Sequence, residues 1–208
     1  MARAAVTGKG GETRRRLVEV GAMAFMERGY SATSLSELIA AAGLTKGGFY
    51  FHFASKADLA VEVVRSRDDQ LQREVLAAAA EYERAAEQVV AMVRGLVQAI
   101  ASKSEQGMAG LERLCTELRG EGIDDPVIVQ PHERWIETTA ALFRTAQAEG
   151  DLDPKADPLR AARFAVGSFV GLEEIARSGP SQDVLGIAVD DYLRMTARAI
   201  GLRLPDLA

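Results

Sequence analysis

"GLTKGGFYFHFASKADLA", residues 43–60, decides how this chain folds. Five consecutive positions, Phe49, Tyr50, Phe51, His52 and Phe53, carry four aromatic rings and an imidazole. Gly47 and Gly48 come just before them, and Lys46 and Lys56 stand on either side. The aromatic run is rich in β-forming residues. A lone five-residue strand among helical segments, however, has nothing to pair with. The other reading is a short helix, the second of two joined by a tight turn. "TSLSELIAAAG", residues 33–43, supplies the first. Thr33 or Ser34 can cap it, and Glu37 three residues after Ser34 completes a capping box. Leu35, Leu38 and Ile39 give it an inner face, and Gly43 stops it.

Two helices joined in this way can lay the second in a DNA major groove, with its first residues at the bases. Those residues are Thr45, Lys46, Gly47 and Gly48. Two glycines are poor helix formers. They make sense where the backbone must approach another surface closely. Lys46 supplies a donor and a charge. Tyr50 and His52 offer polar tips to phosphates, while Phe49, Phe51 and Phe53 are expected to pack inside. Lys56 starts the next helix, where backbone amides also attract phosphate.

The charge distribution agrees. The chain of 208 residues has a formal net charge of −5. Residues 1–56 hold eight Lys or Arg against four Glu, a net of +4, and the remainder carries −9. A basic head on an acidic body suits a polyanion-binding module on a carrier. Cys115 is the single cysteine, so no internal disulfide forms and no zinc spacing exists. The N-terminal stretch has no apolar core of a secretory signal, and no apolar run reaches membrane-spanning length. The expectation is a soluble, cytoplasmic protein.

Beyond the head the pattern stays helical. Residues 1–12 read as a mobile arm, and 13–28 as a helix closed by Gly29. A long helix begins at Ser55, with Asp58 three residues later, and runs to about residue 80. Further helical patterns cover residues 83–102, 107–120, 132–150, 159–179 and 181–200. Pro126 and Pro131 break the chain between two of them, and Gly179-Pro180 separates the last two. The predicted class is all-α: a three-helix helix-turn-helix DNA-binding domain over 13–55, then a helical ligand-binding and dimerisation domain over 56–208. No nucleophile arrangement, phosphate loop or metal-ligand spacing is present, and His52 and His132 have no neighbouring Cys. No enzyme, no cofactor and no metal is expected.

Residues 13 to about 60, "TRRRLVEVGAMAFMERGYSATSLSELIAAAGLTKGGFYFHFASKADL", resemble the DNA-binding head of the TetR family of bacterial repressors. The resemblance implies DNA contacts from Thr45, Lys46, Gly47, Gly48, Tyr50, His52 and Lys56, and a phosphate contact from Thr33. "FYFHFASKADLA" looks further like the γ-butyrolactone receptor branch, whose members control antibiotic production. The likeness continues more weakly through "GLERLCTEL", "HERWIETTAALFRTAQAEGDLDPKADP" and "FAVGSFVGLEEIA". In that branch a Trp after the Pro-bearing loop lies against the bound signal, which implies that role for Trp135. Core packing is the ordinary alternative for a lone Trp in a helical domain.

A cavity between helices, lined by apolar side chains and a few polar groups, is the usual ligand site. Trp135, Leu114, Leu118, Phe143, Phe164 and Ser168 are candidate lining residues, with Gln130 and Thr138 as polar candidates near the Trp. Ala60, Val64, Leu71 and Val75 mark one stripe of the long helix, and Arg67 falls on it. Facing inward, Arg67 would suit a carboxylate or strongly polar head. At the rim it would pair with Asp68 or Glu74, or reach water. The resemblance also implies a homodimer through the last two long helices, with Gly167, Ser168 and Gly171 beside Phe164, Phe169 and Leu172, and with Val184, Ile187, Ala188 and Leu193. The expected function is a repressor on a palindromic operator, released by a γ-butyrolactone, butenolide or furan-type signal. The alternative is a pseudo-receptor of the same family that answers to antibiotics or biosynthetic intermediates.

Overall fold

A computed structural model describes residues 9–101, 108–178 and 187–205. Among them lie ten helices: α1 (Lys9–Arg28), α2 (Leu35–Ala41), α3 (Lys46–His52), α4 (Lys56–Ala79), α5 (Ala85–Ala101), α6 (Met108–Gly120), α7 (Pro126–Val129), α8 (Glu133–Ala148), α9 (Pro158–Ser178) and α10 (Val189–Ile200). The only extended pairing among the described residues is an isolated bridge between Leu152 and Leu202. Most of the predicted N-terminal arm, the Gly179-Pro180 break and Val184 lie outside the described residues. Residues 9–12 are already helical, with Glu12 in the first turn, where a carboxylate favours the positive end of the helix. No described helix is long and apolar enough to cross a membrane.

The chain divides into two compact units, with the boundary inside α4. The first holds α1–α3, α4 as far as Gln70, α6 and α7. Its core joins Leu17, Phe25 and Met26 of α1 to Leu38, Phe49, Leu59, Val63, Leu114, Leu118 and Ile128. Each such side chain, fully buried, stabilises by about 1.5–3 kcal/mol. Burial alone does not fix where α2 and α3 point. That is set by polar ties on the turn between α1 and α2.

Gly29 opens this turn at φ 86, which a side chain would strain, and an added Cβ there would sit 2.7 Å from Glu117 Oε1. The carboxylate of Glu117, on α6, accepts from the backbone amides of Tyr30 (2.7 Å) and Ser31 (3.0 Å). Lys56 Nζ, at the start of α4, donates to the carbonyls of Tyr30 and Thr33, each at 3.0 Å, and lies 3.9 Å from the centre of the Tyr30 ring. Arg113 donates to the carbonyl of Met26. Arg14 on α1 bonds Glu62 on α4 (2.7 Å), which also holds Arg65, and Arg65 reaches Asp125 at the head of α7. Burial pushes the Glu62 carboxyl up, but the two guanidiniums outweigh it and hold it below its ordinary range.

The second unit holds the rest of α4, α5, α8, α9 and α10. Ala140, Phe143 and Ala146 of α8 pack with Ala161 and Ala162 of α9, Ala85 and Ala86 of α5, and Leu152 and Leu202. Phe169 and Tyr192 meet edge to face, and the Tyr192 hydroxyl donates to the carbonyl of Ala165 at 2.7 Å, pinning α10 to α9. Arg84 and Asp151 pair at 2.7 Å, and Glu149 accepts from the first amide of α5, so the start of α5 is tied to the end of α8.

Candidate functional site

The helix-turn-helix is built by its caps. Ser34 accepts from the Glu37 amide (3.2 Å) and Glu37 accepts from the Ser34 amide (3.0 Å), the reciprocal pair expected at residues 34–37. Hydrogen bonds from Ser34 to the Glu37 carboxyl, first from its backbone amide and then from its side chain, hold that carboxyl below its ordinary range. α2 ends at Ala42, and Gly43 turns the chain at φ 67. Thr45 then caps α3 by accepting from the Gly48 amide at 3.2 Å. The aromatic run is therefore helical, not a strand.

Helical spacing sorts that run. Phe49 and Phe53, four apart, are both buried, 6.0 Å between ring centres, and the Arg14 guanidinium lies 4.9 Å over Phe53. Phe51 is 82% exposed, against the expectation that it packs inside. The reason is geometric: alternate residues share a face in a strand, but in a helix they stand about 200° apart. Gly47, four residues before Phe51, is on the same outward stripe. Thr45, Lys46, Gly47 and Tyr50 are exposed, while Gly48 and His52 are half-buried.

The two glycines have no internal explanation. A Cβ on Gly47 would meet nothing within 4 Å, and one on Gly48 would meet Thr45 Oγ1 at an ordinary 3.4 Å. Neither has a positive φ. A glycine in a helix interior is about 0.8–1 kcal/mol worse than alanine; these two stand in the first turn of α3, and no close contact inside the protein calls for either. An outside surface close to the backbone would account for them.

Thr33 and Lys56 are placed differently from the other expected DNA contacts. Thr33 is buried, and its hydroxyl bonds the carbonyls of Gly29 (2.8 Å) and Ala24 (3.3 Å). Lys56 is committed to the turn carbonyls described above. Both residues fix the turn that sets α2. The rest lie on α3 and its cap, with Gly48 and His52 half-buried.

In the second unit, Trp135 is buried in a cluster with Val75, Ala79 and Met92, flanked by Leu71, Leu76, Leu142 and Val166. Two buried polar atoms on the same helices have no hydrogen-bond partner: Gln72 Nε2 on α4 and Thr139 Oγ1 on α8, one turn after Trp135. An unpaired buried polar group costs about 1–3 kcal/mol, and native structures seldom leave one without a reason. Sequence reading missed both. The inward stripe of α4 runs through Val61, Val64, Asp68, Gln72, Val75 and Ala79, all buried; it shares Val64 and Val75 with the stripe drawn through Arg67 but passes through residues 68 and 72 in place of 67 and 71. Following three- and four-residue steps from Val64 to Val75 through residues 68 and 72 would have found it.

None of the other expected lining residues belongs to the apolar cluster that holds Trp135. Arg67 bonds the Gln70 side chain at 3.0 Å on the exposed side of α4, so it is a rim residue. Leu114 and Leu118 belong to the core of the first unit, and Phe143 to the cluster around Leu152. Gln130 is exposed at the end of α7, and Phe164 is 51% exposed. Thr138 is half-buried, and Ser168 bonds the carbonyl of Ala165 at 3.0 Å beside Tyr192. Cys115 is packed in the first unit's core, and burial pushes its thiol up to about 11. It is a neutral thiol at physiological pH, not an activated one.

The family model for bacterial regulatory proteins of the TetR family matches residues 17–63, the segment that builds this head. The solved structure of full-length TylP, a TetR regulator from Streptomyces fradiae, is 30% identical over 95% of this chain and 90% of its own, with a TM-score of 0.71. The chain belongs to the TetR family. Within that family it is similar to the A-factor receptor protein of Streptomyces griseus, 30% identical over 80% of this chain and 56% of the receptor. It is also similar to the transcriptional regulator AcuR of Cereibacter sphaeroides, 31% identical over 68% of this chain and 66% of AcuR. The chain thus spans about half to two thirds of these two curated relatives. No enzyme family is indicated by these matches.

Proposed function

We propose that this TetR-family protein is a transcriptional repressor that binds a palindromic operator as a homodimer and leaves it when a small neutral signal binds. The observation that carries the sensing half is the buried, unpartnered pair Gln72 Nε2 and Thr139 Oγ1 on the helices that hold Trp135. Both groups are uncharged, and both can donate a hydrogen bond. They suit a ligand with carbonyl or ether oxygens and an apolar body, as in a γ-butyrolactone or butenolide. They do not suit a carboxylate, whose desolvation needs a cation, and Arg67 is engaged with Gln70 at the surface. The name of the A-factor receptor, a relative, points to a receptor function as well.

The DNA half is supported by the outward face of α3, bare of side chains at Gly47 and bordered by Thr45, Lys46 and Tyr50. The dimer half is supported by α9. Phe164, Gly167, Gly171 and Ile175 follow one another at helical spacing; the two glycines are open on their Cβ side, and Phe164 and Ile175 are exposed. Met195 of α10 is exposed too. Leu193 is buried within the protomer and does not belong to that face. A second copy seated on it gives the twofold symmetry that a palindrome needs. Ligand acts by binding the DNA-incompetent arrangement more tightly. The test is a gel shift of the purified protein on palindromes upstream of its own reading frame, repeated with lactones, butenolides, furan acids and antibiotics. A shift relieved by a neutral lactone or butenolide is expected. Relief only by an antibiotic would favour the pseudo-receptor reading, and no shift on any palindrome sinks the repressor.

A further inference from the structure

Phe51 has no role in the protein that holds it. Among the described residues no large apolar side chain is more exposed, at 82%. It is on the outermost stripe of α3, one turn after Gly47, whose Cβ side is open. Side chains on a helix lean toward its N-terminus, so the ring leans over the gap that Gly47 leaves. The His52 ring, 5.0 Å away and at 88°, flanks it edge to face. The other exposed side chains of α3 and its cap are Thr45, Lys46 and Tyr50, all polar at their tips. The apolar part of the surface is thus a single ring set among hydrogen-bonding groups. That is the wrong shape for a protein interface, which needs a contiguous apolar centre.

It fits the DNA major groove. The apolar element a groove offers to a side chain is the C5-methyl group of thymine, which phenylalanine is suited to contact. A ring beside a backbone bare at Gly47 reaches the groove floor, where a ring flanked by bulky side chains would be held off. We propose that Phe51 is a specificity-determining residue that reads one thymine methyl in each operator half-site. The proposal rests on the DNA-binding reading above. It adds the residue and the base that carry sequence preference, on a helix where Gly47 and Gly48 carry no side chains.

The full-length protein and its Phe51→Ala and Phe51→Leu variants are each selected against the same random duplex pool. Wild type should enrich thymine at one fixed position per half-site, and Phe51→Ala should lose preference there alone. Replacing that thymine by deoxyuridine removes only the methyl. It should weaken wild type about fourfold per half-site, the worth of one buried methyl, leave Phe51→Ala unchanged, and still weaken Phe51→Leu. Wild type indifferent to deoxyuridine at every thymine overturns the proposal. So does a Phe51→Ala variant as sensitive as wild type, or one weakened equally on every sequence, which would place the ring on the sugar-phosphate backbone. If wild type selects no DNA, the DNA-binding reading falls and this proposal with it; if it selects DNA without a methyl effect, only this proposal falls.

Discussion

α3 and α9 use the same residue types for different ends. Each exposes a phenylalanine beside a glycine whose Cβ would touch nothing: Phe51 with Gly47, and Phe164 with Gly167 and Gly171. The borders differ. His52 flanks Phe51, and the other exposed side chains of α3 and its cap are Thr45, Lys46 and Tyr50. Along α9 the stripe continues to Ile175, 68% exposed, with Met195 of α10 exposed as well. α3 has seven residues and α9 twenty-one. A short stripe ringed by donors suits a polyanion. A long stripe of apolar and small residues suits a copy of itself. An exposed glycine on a helix therefore says that something comes close, and its neighbours say what.

The largest effect should come from breaking the α9 stripe. Ile175→Asp places a charge on the proposed self-facing surface without touching the protomer's core. Sedimentation velocity should then show a monomer. Operator affinity should fall about a hundredfold or more, because the second half-site no longer binds as a tethered partner. A variant that stays dimeric would move the interface elsewhere.

Gly47→Ala separates stability from recognition. The added methyl has open space, so the protein should gain up to about 1 kcal/mol from helix propensity, a rise of about 2–4 °C in melting temperature. Operator affinity should drop about tenfold, since 1.4 kcal/mol of lost groove contact corresponds to a factor of ten. Gain in both properties would show that nothing approaches Gly47.

Gln72→Leu tests the third contact region, hidden in the second unit. Removing a buried amide nitrogen without a hydrogen-bond partner should raise unfolding stability by about 1–3 kcal/mol. In the gel shift, the inducer concentration needed for release should rise. A lowered melting temperature would mean that Gln72 serves the fold.

The smallest effect concerns the tie between α1 and α4. Glu62 has a folded-state pKa below its unfolded one, so its contribution is present above the unfolded value and is lost as pH falls through the folded value. Glu62→Gln should therefore be less stable than wild type at pH 7, by about 1 kcal/mol for a part-exposed pair. The gap should close in denaturation curves taken below the carboxylate range.

Much of the head was legible because its signals are local. Ser34 with Glu37, Thr45 before the glycines, Ser55 before Asp58, and Gly29 and Gly43 all act within a few residues. Phe51 was misjudged by carrying a strand's alternation into a helix. Arg67 was left open between cavity and rim; the buried stripe passes through its neighbour Asp68, about 100° round the helix. Gln72 and Thr139 are distinguished by what they fail to bond, and Phe164 by what fails to cover it. Neither can be known before the partner helices are placed. Glu117 meets Tyr30 across 87 positions, and no short-range pattern announces such a contact.

That contact has a practical consequence for building chimaeras. The four-residue bend from Tyr30 to Thr33 gives its amide protons to a carboxylate on α6 and its carbonyls to an ammonium on α4. A DNA-reading head grafted onto another regulator's body at residue 55 would leave both Lys56 and Glu117 behind. Its bend would then lose four hydrogen bonds, and of those groups only the Tyr30 carbonyl would keep a partner, the Thr33 amide. A transplant that keeps the head's aim must carry Lys56 with it and write a glutamate into the recipient's α6 at the matching turn.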